Sequence, residues 1–176
     1  HLIEQLRTMA RLEPEAPARD FVAVDLPALV RYAIVARSAL AADKRIDMGL
    51  ARCADVPVRG DATSLAMLLA NLLDNALRYT PEGGRIDVAV DDDGGRAVLV
   101  VIDTGPGIPA RDHERVFERF HRGTSASGAD APGGSGLGLS IVRRIADAHG
   151  ATVSLDDGPD GRGLSVRVRF PGANES

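Results

Sequence analysis

The stretch AVLVVIDTGPGIP, residues 97–109, decides the fold class. Val98 to Ile102 form an unbroken apolar run of β-branched residues and Leu, too short for a helix and rich in strand formers. Asp103 ends the run, and Gly105 and Gly107 then let the backbone turn tightly. Working outward, Arg85 to Val90 is a second strand pattern, separated from the first by the turn-rich Asp91-Asp92-Asp93-Gly94-Gly95, so the pair reads as a hairpin. Ala151 to Asp156 and Leu164 to Phe170 repeat that arrangement around the turn Asp157 to Gly163. Helical patterns lie before and between the hairpins. The expected class is α+β: one mixed, mostly antiparallel sheet with about three helices on one face.

Toward the N-terminus, Gly60-Asp61 stops a short strand candidate at Val56 to Arg59 and caps a long Leu-rich helix, Thr63 to Tyr79. Ile46 to Leu50 is another strand candidate. Asp25 can cap a helix carrying Pro27 in its first turn and running to about Ala42. Leu2, Leu6, Met9 and Leu12 form a helical stripe that Pro14 and Pro17 end, so residues 1–12 read as the tail of a longer helix and 13–24 as a linker. One domain is then expected over 25–172. Past the hairpin, Pro109 to Phe120 reads as a short helix and Leu137 to His149 as another. Between them, residues 121–136 are mostly Gly, Ser, Ala, Thr and Pro without periodicity, a length of loop that in a compact domain is functional or disordered.

Composition narrows the function. Aromatic residues make up 3% of the 176, with no Trp, which leaves no stacking platform for nucleic-acid bases. A net charge of −4 lacks the basic face of a phosphate-backbone binder, so no nucleic-acid partner is expected. The single cysteine, Cys53, excludes an internal disulfide and reads as a small, half-buried residue. No run approaches the roughly 20 apolar residues that cross a bilayer, and the fragment is expected to be soluble.

Three constellations carry chemistry. On the long helix, Asn71, Asn75 and Arg78 share one face at spacings of four and three, while Leu68, Leu69, Leu72, Leu73 and Leu77 cover much of the rest. Amide oxygens suit Mg²⁺ and a guanidinium suits phosphate, although a polar stripe facing water has the same pattern. Asp103, at a strand end on a glycine floor, could accept a hydrogen bond from an exocyclic amine such as that of adenine, or simply cap a turn. Gly133, Gly134, Gly136 and Gly138 precede a helix, where free N–H groups and the dipole favour an anion. This is neither a P-loop nor a dinucleotide fingerprint.

In order, the Asn-bearing helix, the Asp-x-Gly-x-Gly turn, the segment Val116 to Phe120 and the Gly-x-Gly-Leu-Gly-Leu stretch resemble the N, first glycine, F and second glycine boxes of bacterial sensor histidine kinases. The resemblance covers about residues 25 to 170 and extends to the superfamily shared with gyrase B, MutL and heat-shock chaperones, whose fold is the Bergerat-type ATP-binding sandwich. It implies ATP and Mg²⁺ as ligands. Asn71 and Asn75 would hold Mg²⁺ and the phosphates. Arg78, where many members carry Lys, would contact the phosphate chain, and Tyr79 would line the pocket. Asp103 would bind the adenine amino group, with Gly105, Gly107 and Ile108 shaping the floor. Residues 121–136 would be the lid, Arg119 or Arg122 would reach the γ-phosphate, and Gly134, Gly136, Leu137 and Gly138 would close it.

One position separates the superfamily's branches. Its hydrolysing ATPases carry a Glu four residues before the metal-binding Asn; here that residue is Asn71, which cannot take a proton from water. Asp74, the nearby carboxylate, reads as a solvated helix residue. None of His1, His113, His121 and His149 has the surroundings of a phosphoacceptor; His149 reads as part of a helix end. Residues 1–12 resemble the end of the second helix of the family's dimerisation domain, so the acceptor is expected upstream. The resemblance thus implies a kinase domain of the EnvZ/OmpR-like class, partnered by a dimerisation and phosphoacceptor domain of the same protein and by a response regulator receiver domain. The parent would be a homodimer anchored in the inner membrane, with this domain in the cytoplasm. The alternatives are an ATP-hydrolysing clamp domain, a serine-directed anti-sigma-type kinase and a nucleotide-binding module without transfer activity.

Overall fold

The computed structural model describes residues 21–118 and 136–172. The readings placed on residues 1–12, on most of the 121–136 loop, and on Arg119, Arg122 and Gly134 lie outside them.

Five strands form the main sheet: β2 (Asp47–Cys53), β4 (Arg85–Asp92), β5 (Ala97–Asp103), β6 (Thr152–Asp157) and β7 (Leu164–Arg169), in the order β2-β4-β5-β7-β6. The two expected hairpins are present, and β5 pairs antiparallel with both β4 and β7. Only β2 runs parallel to its neighbour, β4. Strand alternation assigns the faces. Ile86, Val88 and Val90 of β4, Leu99 and Val101 of β5, and Val166 and Val168 of β7 join one core with the helices α1 (Leu26–Val35), α3 (Ala62–Tyr79) and α4 (Gly138–Ala148). The opposite face buries a smaller cluster, Ala89, Val98 and Val100 with Ile102 against it. Ion pairs border that cluster: Arg85 with Asp87, Arg52 with Asp91, Arg167 with Asp156 and Arg169 with Asp93.

Two helices begin at the capping residues the sequence marks. Asp25 accepts from the Ala28 N–H at 2.8 Å, with Pro27 in the first turn of α1. Asp61 accepts from the N–H groups of Thr63 and Ser64 and from the Ser64 hydroxyl, closing the N-terminus of α3. At the other end of α3 the Lys44 ammonium donates to the Leu77 carbonyl at 2.6 Å, a cation placed on the negative end of the dipole.

Four boundaries differ from expectation. The helix from Asp25 breaks after Val35 and a separate α2 (Ser38–Asp43) follows. Arg37 sits at the break, with its guanidinium donating to the carbonyls of Ala33 and Ala70 and to Asp74. Val22–Val24 is a strand, β1, paired antiparallel with β3 (Val58–Gly60), so the folded unit reaches into the segment read as linker. The pairing joins residues far apart in the chain, which local pattern cannot reveal. β2 continues to Cys53 through a register irregularity between Leu50 and Arg52. Finally, the expected helix after Ile108 is two 3₁₀ turns, Ala110–Asp112 and Arg115–Phe117, each closing on i→i+3 bonds.

Removing the cap of α3 with Asp61→Ala is expected to cost about 1 kcal/mol. The check is a lower midpoint of urea unfolding with an unchanged slope.

Candidate functional site

Asp103 ends β5 in step with Leu99 and Val101, so its side chain points to the helix layer. It is 6% exposed. Oδ1 accepts from the Gly105 N–H at 2.8 Å, and the N–H of Leu164, its register partner on β7, also acts on the carboxylate. Burial pushes the carboxyl above its ordinary range, and the two N–H groups pull it part of the way back. The aligned donors and the apolar walls leave a buried acceptor on a floor of backbone.

That floor is made by close approach. A Cβ on Gly105 would stand 2.8 Å from Asp103 Oδ1 and 2.8 Å from the Tyr79 carbonyl oxygen, so the turn after β5 lies directly against the end of α3. Gly107 has φ 72°, open to glycine at little cost, and a Cβ there would stand 2.7 Å from the Gly163 carbonyl. Ile108 is half-buried against the core. Its carbonyl accepts from His113 Nε2 at 2.8 Å, which places the proton on that nitrogen and ties the first 3₁₀ turn to the floor.

The amides of α3 differ in depth. Asn71 is 3% exposed and donates through Nδ2 to the Met67 carbonyl at 2.9 Å. Asn75 is half-buried and faces the start of α4, where a Cβ on Gly138 would stand 2.8 Å from Asn75 Nδ2 and 2.9 Å from its Oδ1. Leu137 is buried beside it, and Gly136 has φ 66°. Arg78 and Tyr79 are exposed at the end of α3. The structure thus brings Asn75 to Gly138 and Tyr79 to Gly105 and Asp103, joining the three separate motifs. Arg119, Arg122 and Gly134 lie outside the described residues.

Three side chains depart from their expected settings. Asp74 is ion-paired rather than simply solvated: Arg37 Nε lies 2.7 Å from Oδ1, and the Arg37 side chain is only 16% exposed. Cys53 is exposed, with Arg31 Nη1 3.5 Å from Sγ. His149 does end a helix, and it also joins two. Its Nδ1 donates to the Ile145 carbonyl at 2.7 Å and its Nε2 accepts from the Asp61 N–H at 3.1 Å, which is the neutral tautomer, with the Phe21 ring stacked at 4.7 Å.

Sequence reasoning passed over His113, Arg37 and Gly163. The first two carry no motif, because their partners are backbone carbonyls or a carboxylate distant in sequence. Gly163 read only as the end of a turn.

Known proteins agree with this geometry. Residues 60–174 match the family described as histidine kinase-, DNA gyrase B-, and HSP90-like ATPase. The sensor protein kinase PmrB of Pseudomonas aeruginosa is 38% identical over 170 residues, 97% of this chain and 35% of that protein. Among solved structures, a mycobacterial sensor histidine kinase MprB is 32% identical with a TM-score of 0.71, over 86% of this chain and 97% of that one. Full-length ShkA in complex with AMPPNP is 31% identical with a TM-score of 0.79, over 97% of this chain and 35% of that one. The chain therefore belongs to the histidine kinase, gyrase B and HSP90-like ATPase family, as the catalytic ATP-binding domain of a sensor histidine kinase. It spans about a third of the length of the curated relative PmrB.

Asp103 also sets a pH dependence. Because its native carboxyl keeps its proton to higher pH than the unfolded chain's, native stability falls as pH rises above the ordinary carboxylate range. Asp103→Asn is expected to raise the Tm at pH 7, with the difference shrinking toward about pH 4. Scanning calorimetry at the two pH values checks this; a lower Tm for the variant at pH 7 contradicts it.

Proposed function

We propose that this domain binds ATP with Asp103 on the adenine amino group and presents the γ-phosphate to a histidine on the dimerisation domain of its parent kinase. The observation that carries the choice of transfer over hydrolysis is on α3. Where a water-activating base would stand, Asn71 offers a buried amide, and the carboxylate of Asp74 is committed to Arg37. Nothing on that helix face takes a proton from water at neutral pH.

The residues fit ATP by chemistry. Asp103 is a buried acceptor, which suits an exocyclic amine, and Gly105, Gly107 and Ile108 would shape a backbone floor beneath a flat base. Asn71 and Asn75 would hold Mg²⁺ by amide oxygen, the Asn71 amide nitrogen being turned to the Met67 carbonyl. When bound, the ion would supply charge neutralisation to the phosphates. Arg78 would contact the phosphate chain and Tyr79 the pocket wall. Leu137 and the N–H groups at Gly136 and Gly138 would face the phosphates at the start of α4. Arg119 or Arg122 would reach the γ-phosphate, and residues 121–136, Gly134 included, would cover it. The domain's part is to position and neutralise.

The phosphoryl group would pass from the histidine to an aspartate of a response regulator. The parent would be a membrane-anchored homodimer with this domain in the cytoplasm; among the described residues no helix is long and apolar enough to cross a membrane.

Mixed with Mg-ATP and a separately prepared dimerisation domain, the chain is expected to produce acid-labile phosphohistidine, and alone to release no phosphate. Steady phosphate release by the chain alone overturns the reading. Asp103→Asn is expected to abolish nucleotide binding, read by calorimetric titration, while the circular dichroism spectrum stays unchanged.

A further inference from the structure

The turn between β6 and β7 has no place in the functional motifs, yet it touches the adenine site at its base. Gly163 has φ 78°, and a Cβ built there would overlap the Asp103 carbonyl oxygen and stand 3.1 Å from Thr104 Cα. Its own carbonyl is the atom that leaves no room for a Cβ on Gly107. The next N–H in the chain, that of Leu164, bears on the Asp103 carboxylate, and Leu164 is the register partner of Asp103. The Gly163–Leu164 peptide is therefore wedged between the backbone of Asp103 and the floor at Gly107. We propose that Gly163 is a positioning residue for base selection, whose missing side chain lets β7 press its first peptide against Asp103 and hold that carboxylate in line for an exocyclic amine. This rests on the assignment of Asp103 to adenine.

The reasoning is geometric. The Asp103 carboxylate accepts from Gly105 in its own loop, and Asp103 is paired with Leu164 of the neighbouring strand. The first is local and survives a shift of β7, whereas the second exists only while the two backbones are in contact. A side chain at position 163 must push them apart. Displacements of about 1 Å at a site that aims a group can cost on the order of 100-fold.

A neighbour supplies the control. Gly161 lies in the same turn with φ 69°, and a Cβ there meets nothing within 4 Å. Gly161→Ala therefore imposes a comparable backbone strain without the push on Asp103.

The experiment measures the affinities of ATP and inosine triphosphate, which carries a carbonyl where ATP carries the amine, for the intact chain and its variants. Gly163→Ala is expected to reduce the preference for ATP at least tenfold, and Gly161→Ala to leave it unchanged. Amide NMR of the nucleotide-free protein is expected to show the Leu164 resonance moved in the first variant and not in the second. Should Gly163→Ala fail to fold, Gly107→Ala, which presses on the Gly163 carbonyl from the other side, is expected to lower the same ratio. An unchanged ratio in the folded variant, or an equal loss in Gly161→Ala, overturns the proposal. Asp103→Asn separates the two readings. If it keeps the ATP preference, the adenine assignment itself fails. If it loses ATP binding while Gly163→Ala retains both binding and preference, only the role of Gly163 fails.

Discussion

An ionised carboxylate is costly to remove from water, and Asp103 ends a strand whose other residues face an apolar layer on either side. Strand alternation alone sends its side chain to the helix layer, in step with Leu99 and Val101. The fold tolerates it by supplying backbone donors from Gly105 and Leu164, and by making the approaches so close that Gly105, Gly107 and Gly163 admit no side chain. The burial that destabilises the free protein is also what makes the acceptor dry and directional. If Asp103 takes the proposed ligand, stability and binding are opposed at this residue, a common feature of functional sites.

The helix α3 carries the other half of the site on a scaffold that could hardly be more firmly held. Leu65, Leu68, Leu69, Leu73 and Leu77 are each at most 1% exposed, its N-terminus is capped by Asp61, and its C-terminus meets Lys44. Polar groups set on such a helix have little freedom. Asn71 is consequently fixed by a bond to the helix backbone, while Asn75, one turn on, lies against the start of α4. The same rigidity explains Asp74. On a helix packed against α1, its carboxylate meets Arg37 at the break between α1 and α2, away from any role as a base.

Much of this was legible in the chain. The hairpins β4–β5 and β6–β7, the caps at Asp25 and Asp61, and the faces of β5 follow from interactions a few residues apart. The functional motifs were legible for another reason: amides on an apolar helix, and a carboxylate before two glycines, are unusual enough to mark chemistry. Two of the errors come from contacts distant in sequence and the third from a local one. Val22–Val24 becomes a strand only because β3 lies beside it, the helix after Asp25 breaks where Arg37 reaches across to α3, and the segment after Ile108 winds into 3₁₀ turns pinned by His113.

By itself, then, the sequence determined most element types, the antiparallel hairpins, and which side chains are chemically suited to a nucleotide, because those depend on local periodicity, capping and residue chemistry. Tertiary structure alone decided that Gly163 meets Asp103, that Tyr79 meets Gly105, and that Asn75 meets Gly138, since each contact joins segments separated by a strand or a helix. It also decided that Asp74 is occupied and that Asp103 is dry. Burial and pairing are properties of what packs against a residue, and no spacing along one chain specifies that neighbour.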